Sequence, residues 1–320
     1  MMKQQIHQAH GHSIQELEQL LRDACDLFDS EVSLESHMLG GWSNLNIHGH
    51  SGGLDFVLKL PSRLASLGVG PYRYLYDVSL FFNKLGIASQ PLAIGQLPDA
   101  NETPYIVFEY VDGVIHDSLS DFTHSEIESL RECLHILSNQ EPPGIPRFES
   151  PSDYLASYHS LVANHDQLSS ASEKVAGLID QVSEIYPLVL SYTDSLGEWK
   201  HSVMHGDLWV PNIVLHSEGV TLLDFEACAI GSSFYDLAYL FETTVHTPED
   251  INSFFLSSND EDLVNRLRSL VLSFLIEWSL ERLLSMEAGL VEPNLDTPRI
   301  RTSVLDYACL KMSKLRSILF

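Results

Sequence analysis

Val203-Met204-His205-Gly206-Asp207-Leu208-Trp209-Val210-Pro211-Asn212, followed by Leu222-Leu223-Asp224-Phe225-Glu226, is the part of the chain that decides its fold. Apolar residues flank the polar ones on both sides: Val203 and Met204 before, then Ile213, Val214, Leu215, Leu222 and Leu223. Short strands near 213–216 and 220–224 would hold the polar loop against a buried layer. The hairpin then brings the carboxylates of Asp207 and Asp224 together with the amide oxygen of Asn212. Such hard oxygen donors suit Mg²⁺, which keeps substrate phosphates in its shell. One of the carboxylates can instead accept a proton from a hydroxyl nucleophile. Asp and Asn are also common turn residues, but three of them at these spacings point to chemistry.

Working outward, the texture from Met38 to Tyr110 is that of a sheet. Leu54–Leu60 and Tyr105–Tyr110 read as strands, with glycine turns at Gly40-Gly41 and Ser51-Gly52-Gly53. Tyr72–Leu85 reads as a helix closed by Gly86. Ahead of this region, Ser13-Ile14-Gln15-Glu16 has capping-box spacing and opens a helix over about 13–29. Beyond Val111-Asp112-Gly113 helices dominate. Thr123 and Glu126 form another capping box, helices follow at about 152–164 and 171–190, and Thr247-Pro248-Glu249-Asp250 is a further helix start. Two long helices come last. The fold class is α+β, with a boundary after residue 112. A small antiparallel-sheet unit (1–112) precedes a larger, mostly helical one (113–320).

The 320 residues carry 18 Lys+Arg against 44 Asp+Glu, a net charge of −26. That balance excludes nucleic acid and anionic membranes as partners held by a broad basic face. The charge is uneven: −7 over residues 1–112, −23 over 113–298 and +4 over 299–320. Leu270–Ile276, the most apolar stretch, is stopped by Glu277 and is too short to span a bilayer. Cys25, Cys133, Cys228 and Cys309 are far apart and read as buried thiols. With no apolar signal core near Met1, a cytoplasmic location is expected.

His-Gly-Asp-x-x-x-x-Asn followed by Asp-x-Glu resembles the aminoglycoside phosphotransferase and choline kinase family, distant relatives of the protein kinases. The resemblance runs over about residues 38–240 and implies a bilobal, protein-kinase-like fold. It makes Asp207 the catalytic base, with Asn212 and Asp224 holding Mg²⁺. It makes His205 a structural member of the loop, and Asp236, in Tyr235-Asp236-Leu237-Ala238, a brace for that loop. Leu39-Gly40-Gly41-Trp42-Ser43-Asn44 is similar to the family's nucleotide loop, which places Gly41, Ser43 and Asn44 at the phosphates. Lys59, inside the apolar run Phe56–Leu60, stands where the family has its phosphate-binding lysine. Phe108–Gly113 is similar to the hinge, whose backbone meets adenine at Glu109 and Val111. The donor is then ATP, or GTP as in some relatives, and the acceptor is a small alcohol such as an amino sugar, aminoglycoside or choline. An acidic second lobe favours a cationic acceptor, and Trp209, Glu226, Trp278 and Glu281 are candidates to line its site.

One position departs from the family. The helix Tyr72-Arg73-Tyr74-Leu75-Tyr76-Asp77 lacks the glutamate that usually pairs with the lysine, leaving Asp77 as the acid on hand. This departure motivates an alternative, a non-catalytic nucleotide-binding scaffold on the same fold. A third reading, a metal-dependent hydrolase or metal carrier, draws on His7, His10, His12, His48 and His50. The first three fall in a segment expected to be floppy. His48 and His50 alternate onto one strand face and read as surface histidines.

Overall fold

A computed structural model describes residues 5–39, 43–63, 70–163, 171–194, 201–243 and 258–320. The helix start at Thr247–Asp250, and Gly41 of the glycine loop, lie outside them. The chain divides into two compact units, Met1–Asp112 with Gly289–Ile300, and Gly113–Ala288 with Arg301–Phe320. Sequence reading had placed all of 113–320 in the second unit. Residues 289–300 cluster with the first because their backbone pairs there: Val291 bridges Arg63, and the Glu292 N–H donates to the Ser62 carbonyl at 2.6 Å.

The first unit opens with a two-residue hairpin, β1 (Gln8–Ala9) and β2 (His12–Ser13). This segment is ordered, contrary to expectation, because His10 is buried and its Nε2 donates to the Pro61 carbonyl at 2.8 Å. Helix α1 (Ile14–Ala24) begins at the Ser13 capping box and buries Leu17 and Leu21. It ends at Ala24, short of the expected 29, because Cys25 turns extended and lets Phe28 reach the Phe56 ring at 4.8 Å. Five antiparallel strands follow: β3 (Val32–Met38), β4 (Asn44–Ser51), β5 (Leu54–Pro61), β6 (Pro91–Gln96) and β7 (Pro104–Glu109). They lie in the order β3-β4-β5-β7-β6. Central β5 is paired along both edges, and Phe56, Leu58 and Leu60 of its apolar run are buried. Helix α2 (Gly70–Asn83) packs on β6 and β7 through Leu75, Val78 and Phe82.

The second unit holds the helices α3 (His124–Asn139), α4 (Pro151–Ala163), α5 (Glu173–Asp194), α6 (Ser233–Thr243) and α7 (Ser258–Glu287), and α8 (Pro298–Leu319) from Arg301 on. α3 starts at the Thr123 capping box. In α7 the eight consecutive residues Leu270–Glu277 are all buried, so the helix is covered around its whole circumference by α4, α5 and α6. Two small ladders complete the unit. β8 (Ser202–Met204) pairs with β11 (Ala229–Gly231), and β9 (Ile213–His216) pairs with β10 (Gly219–Leu222). Val114 bridges Leu215 of β9, and a Cβ on the preceding Gly113 would strike the Leu215 carbonyl. Among the described residues no helix is long and apolar enough to cross a membrane. Cys25, Cys133 and Cys228 are buried, whereas Cys309 is exposed on α8.

Candidate active site

β8 delivers the chain into the loop that carries Asp207. Gly206 has φ +81°, and a Cβ there would run into the Ala227 carbonyl, so the turn admits glycine alone. Asp236 of α6 clamps this turn. Its carboxylate accepts the His205 N–H at 2.7 Å and the Gly206 N–H at 2.8 Å. Burial pushes the Asp236 carboxyl up to about 7, against the pull of those two donors.

His205 is fully buried, with its ring tilted against Phe225. Its Nε2 donates to the Leu223 carbonyl at 2.9 Å, and its Nδ1 accepts the Asp207 N–H at 3.3 Å. These partners require one tautomer of the neutral ring. Burial lowers its pKa to about 4, so the ring stays neutral around pH 7 and serves as a spacer between the Asp207 and Asp224 backbones. It has no proton to offer a substrate.

Asp207 accepts the Tyr239 hydroxyl at 2.5 Å on one oxygen and the Asn212 Nδ2 at 3.2 Å on the other. Asn212 Nδ2 also donates to the Asp207 carbonyl at 2.9 Å, which leaves Oδ1 as the amide atom for a cation. Burial foremost, then the charge of Asp224, raises the Asp207 carboxyl to about 7. Asp224 follows β10 in the left-handed region, at φ 65° and ψ 66°, a strained backbone for a residue with a Cβ. Two acids held near each other, plus an amide oxygen, form a donor set that fits Mg²⁺. Their repulsion is what a divalent cation relieves. Glu226, exposed in the 3-10 turn Phe225–Ala227, adds to the upward push on Asp207.

Residues 37–257 match the model of the phosphotransferase enzyme family. The chain belongs to this family. No curated protein sequence matches it. Among solved structures, this phosphotransferase is similar to choline kinase LicA from Streptococcus pneumoniae, with 17% identity over 95% of this chain and 98% of that one, and a TM-score of 0.66. A thermostable mutant of aminoglycoside phosphotransferase APH(4)-Ia gives 14% identity over 94% and 98%, and a TM-score of 0.58. A choline/ethanolamine kinase family protein from Mesorhizobium loti gives 17% over 95% and 94%, and a TM-score of 0.55. At these identities the likeness is one of fold, a protein-kinase-like architecture with an antiparallel sheet and a helical part.

The remaining expected residues of the phosphotransferase fall as follows. In the first unit, Lys59 is 3% exposed on β5, opposite Asn46 and Ile106, so it is no outward-facing strand lysine. Asp77 is turned to solvent 3.9 Å from Arg73, which removes it as a partner for that buried lysine. The inward face of α2 carries Tyr72, whose hydroxyl donates to Asn44 Oδ1 at 3.0 Å in a buried contact. Ser43 is exposed beside Asn44, and Glu109 ends β7 with its N–H donating to the Gln90 carbonyl. Val111 follows outside the ladder. In the second unit, Trp209 is half-buried ahead of the 3-10 turn Val210–Asn212. Trp278 and Glu281 are half-buried on α7, where Glu281 accepts the Ser285 hydroxyl.

Sequence reading overlooked two tyrosines. Tyr239 holds the Asp207 carboxylate itself. Tyr307 of α8 lies near enough that the Asp207 charge, after burial, helps hold its phenol protonated. Tyr239 sits three residues beyond Asp236 on α6, one face of one helix serving both aspartates. That i, i+3 spacing was the only signal for it.

Proposed function

We propose that this phosphotransferase moves the γ-phosphoryl group of ATP or GTP to a hydroxyl of a small acceptor, with Asp207 as the base. The observation that carries this reading is the setting of Asp207: part-buried, held by Tyr239 and Asn212, and raised to about 7. A carboxyl at that value is ionised just above neutrality yet basic enough to draw a proton from an alcohol. Tyr239 and Asn212 fix where its oxygens point, which supplies the positioning that such transfer depends on. Asn212 and Asp224 would hold Mg²⁺, which when bound supplies positive charge to the phosphates. Lys59 adds a cation for the nucleotide phosphates, and Glu109 and Val111 supply backbone groups for the base. Support from relatives is of two kinds. LicA has been crystallised with AMP, and APH(4)-Ia with AMP-PNP and hygromycin B.

The acidic residues of the second unit favour a cationic alcohol or amino sugar. Asp207→Ala tests the assignment of the base. The variant is expected to fold, to retain nucleotide binding by calorimetry, and to lose roughly 10²–10⁴ in turnover against a panel of hydroxyl acceptors. Near-native turnover would overturn the assignment. Failure of the unaltered enzyme to turn over any acceptor, or to hydrolyse ATP or GTP with Mg²⁺, would return the protein to the scaffold reading.

A further inference from the structure

The first unit carries a second cluster of ligand-type side chains, on three neighbouring strands. His48 and His50 stand on one face of β4 by the two-residue period of a strand. His50 pairs in register with Ser33 on β3 and Asp55 on β5. An irregularity of β3 between Leu34 and Met38 sets Glu35 beside His48. The result is three donor atoms from Glu35, His48 and His50, all within 4.8 Å of one another.

We propose that Glu35, His48 and His50 form a binding site for a divalent cation of the zinc class, with Asp55 orienting His50. Two imidazoles and one carboxylate suit Zn²⁺, Ni²⁺ or Cu²⁺ and are too nitrogen-rich for Mg²⁺ or Ca²⁺. Three protein donors leave a fourth position for water. His48 turns Nδ1 toward Glu35 Oε1 at 3.1 Å while its buried Nε2 faces away from that contact. His50 Nε2 lies 4.0 Å from the same oxygen. Donors on one tetrahedral zinc sit about 3.3 Å apart, given metal–nitrogen bonds of about 2.0–2.1 Å. The Glu35–His48 pair already has this spacing, and the half-exposed His50 ring closes the rest by a small rotation. Asp55 accepts the His50 Nδ1–H, which leaves Nε2 as the lone-pair atom turned to the cluster. That carboxylate–histidine arrangement is the one that orients imidazole ligands in metal proteins. His48 is further held by stacking on Tyr110 at 4.2 Å and by the edge of His50 at 4.4 Å.

The test is a titration of chelator-stripped protein with Zn²⁺ in competition with a chromogenic chelator. Wild type is expected to take one equivalent at this site, and Glu35→Gln or His50→Ala to weaken that equivalent at least tenfold. Asp55→Asn, acting through His50, should weaken it roughly 10–100-fold. His37→Ala, an exposed histidine on β3 outside the cluster, should leave it unchanged. Co²⁺ provides a second readout, a visible absorption band present in wild type and absent from His50→Ala. Because Glu35 and His50 are partly exposed, their substitutions leave the core intact, and circular dichroism confirms it. His48→Ala is informative only if it folds, so the test does not rest on it. Absence of a bound equivalent in wild type, or unchanged affinity in Glu35→Gln and His50→Ala, would overturn the site.

Discussion

Two regions of the second unit bury carboxylates, and they treat them differently. Around the Asp207 turn, Asp236 collects two backbone N–H groups, and Asp207 collects a phenol and an amide. In the middle of α7, Glu277 is 1% exposed, with only His159 Nδ1 3.3 Å from Oε2 and the Ser273 hydroxyl, one turn back on the same helix, to answer its charge among the described residues. Burial lifts all three acids, Asp207 and Asp236 to about 7 and Glu277 to about 8. The neighbouring His159 is shifted down by the same cause. Burial therefore sets the direction of the shift, and donors decide what the carboxylate is for. Where donors surround it, the charged form organises a turn. Where they are few, burial favours the protonated form.

The largest effect should come from removing the clamp. Asp236→Ala leaves two buried N–H groups without acceptors, at about 1–3 kcal/mol each, so stability should fall by roughly 2–6 kcal/mol. Urea midpoints measure this, and an unchanged midpoint would break the contrast at its stronger end.

Glu277→Gln tests the other end. The wild-type carboxyl binds its proton more tightly folded (about 8) than unfolded (4.5). Its contribution to stability is thus fully present below pH 4.5 and declines as pH rises through about 8, by roughly 1.4 kcal/mol per pH unit between those limits. The glutamine variant should lack that slope and gain on wild type as pH rises. Parallel stability-versus-pH curves would mean Glu277 is already ionised.

The smallest effect concerns the Asp207 turn itself. The Tyr239 hydrogen bond favours the Asp207 carboxylate. Tyr239→Phe should raise the Asp207 value further and move the acidic limb of the kcat/KM profile to higher pH, with a change of roughly 0.5–1.5 kcal/mol. A limb that stays in place would detach Tyr239 from the base.

The parts of this molecule legible in its sequence were those written in local spacing. The His205–Asn212 stretch, the capping boxes at Ser13 and Thr123, and central strand β5 each depend on residues a few positions apart. Strands β3 and β6 were missed because edge positions tolerate polar residues, as in Val-Ser-Leu-Glu-Ser-His-Met, and the apolar alternation is diluted. Tyr239 and its aspartate are 32 residues apart, beyond any periodicity. Asp77 was plausible by residue type and wrong by direction, since the face of α2 that turns inward carries Tyr72 and Leu75. Glu35 joined the histidines only through a strand irregularity that no residue spacing announces.

The backbone pairing of residues 289–300 bears on how the chain is made. The first unit includes the bridge from Arg63 to Val291 and a hydrogen bond from Asn294 to the Gln8 carbonyl. Residue 289 leaves the ribosome roughly 180 residues after Asp112, about 10–35 s later at ordinary synthesis rates. Until then Ser62 and Arg63, just beyond β5, and the Gln8 carbonyl of the first hairpin lack these partners. Vectorial synthesis therefore cannot finish the first unit before most of the second has emerged, and the last stretch to arrive closes the part that was made first.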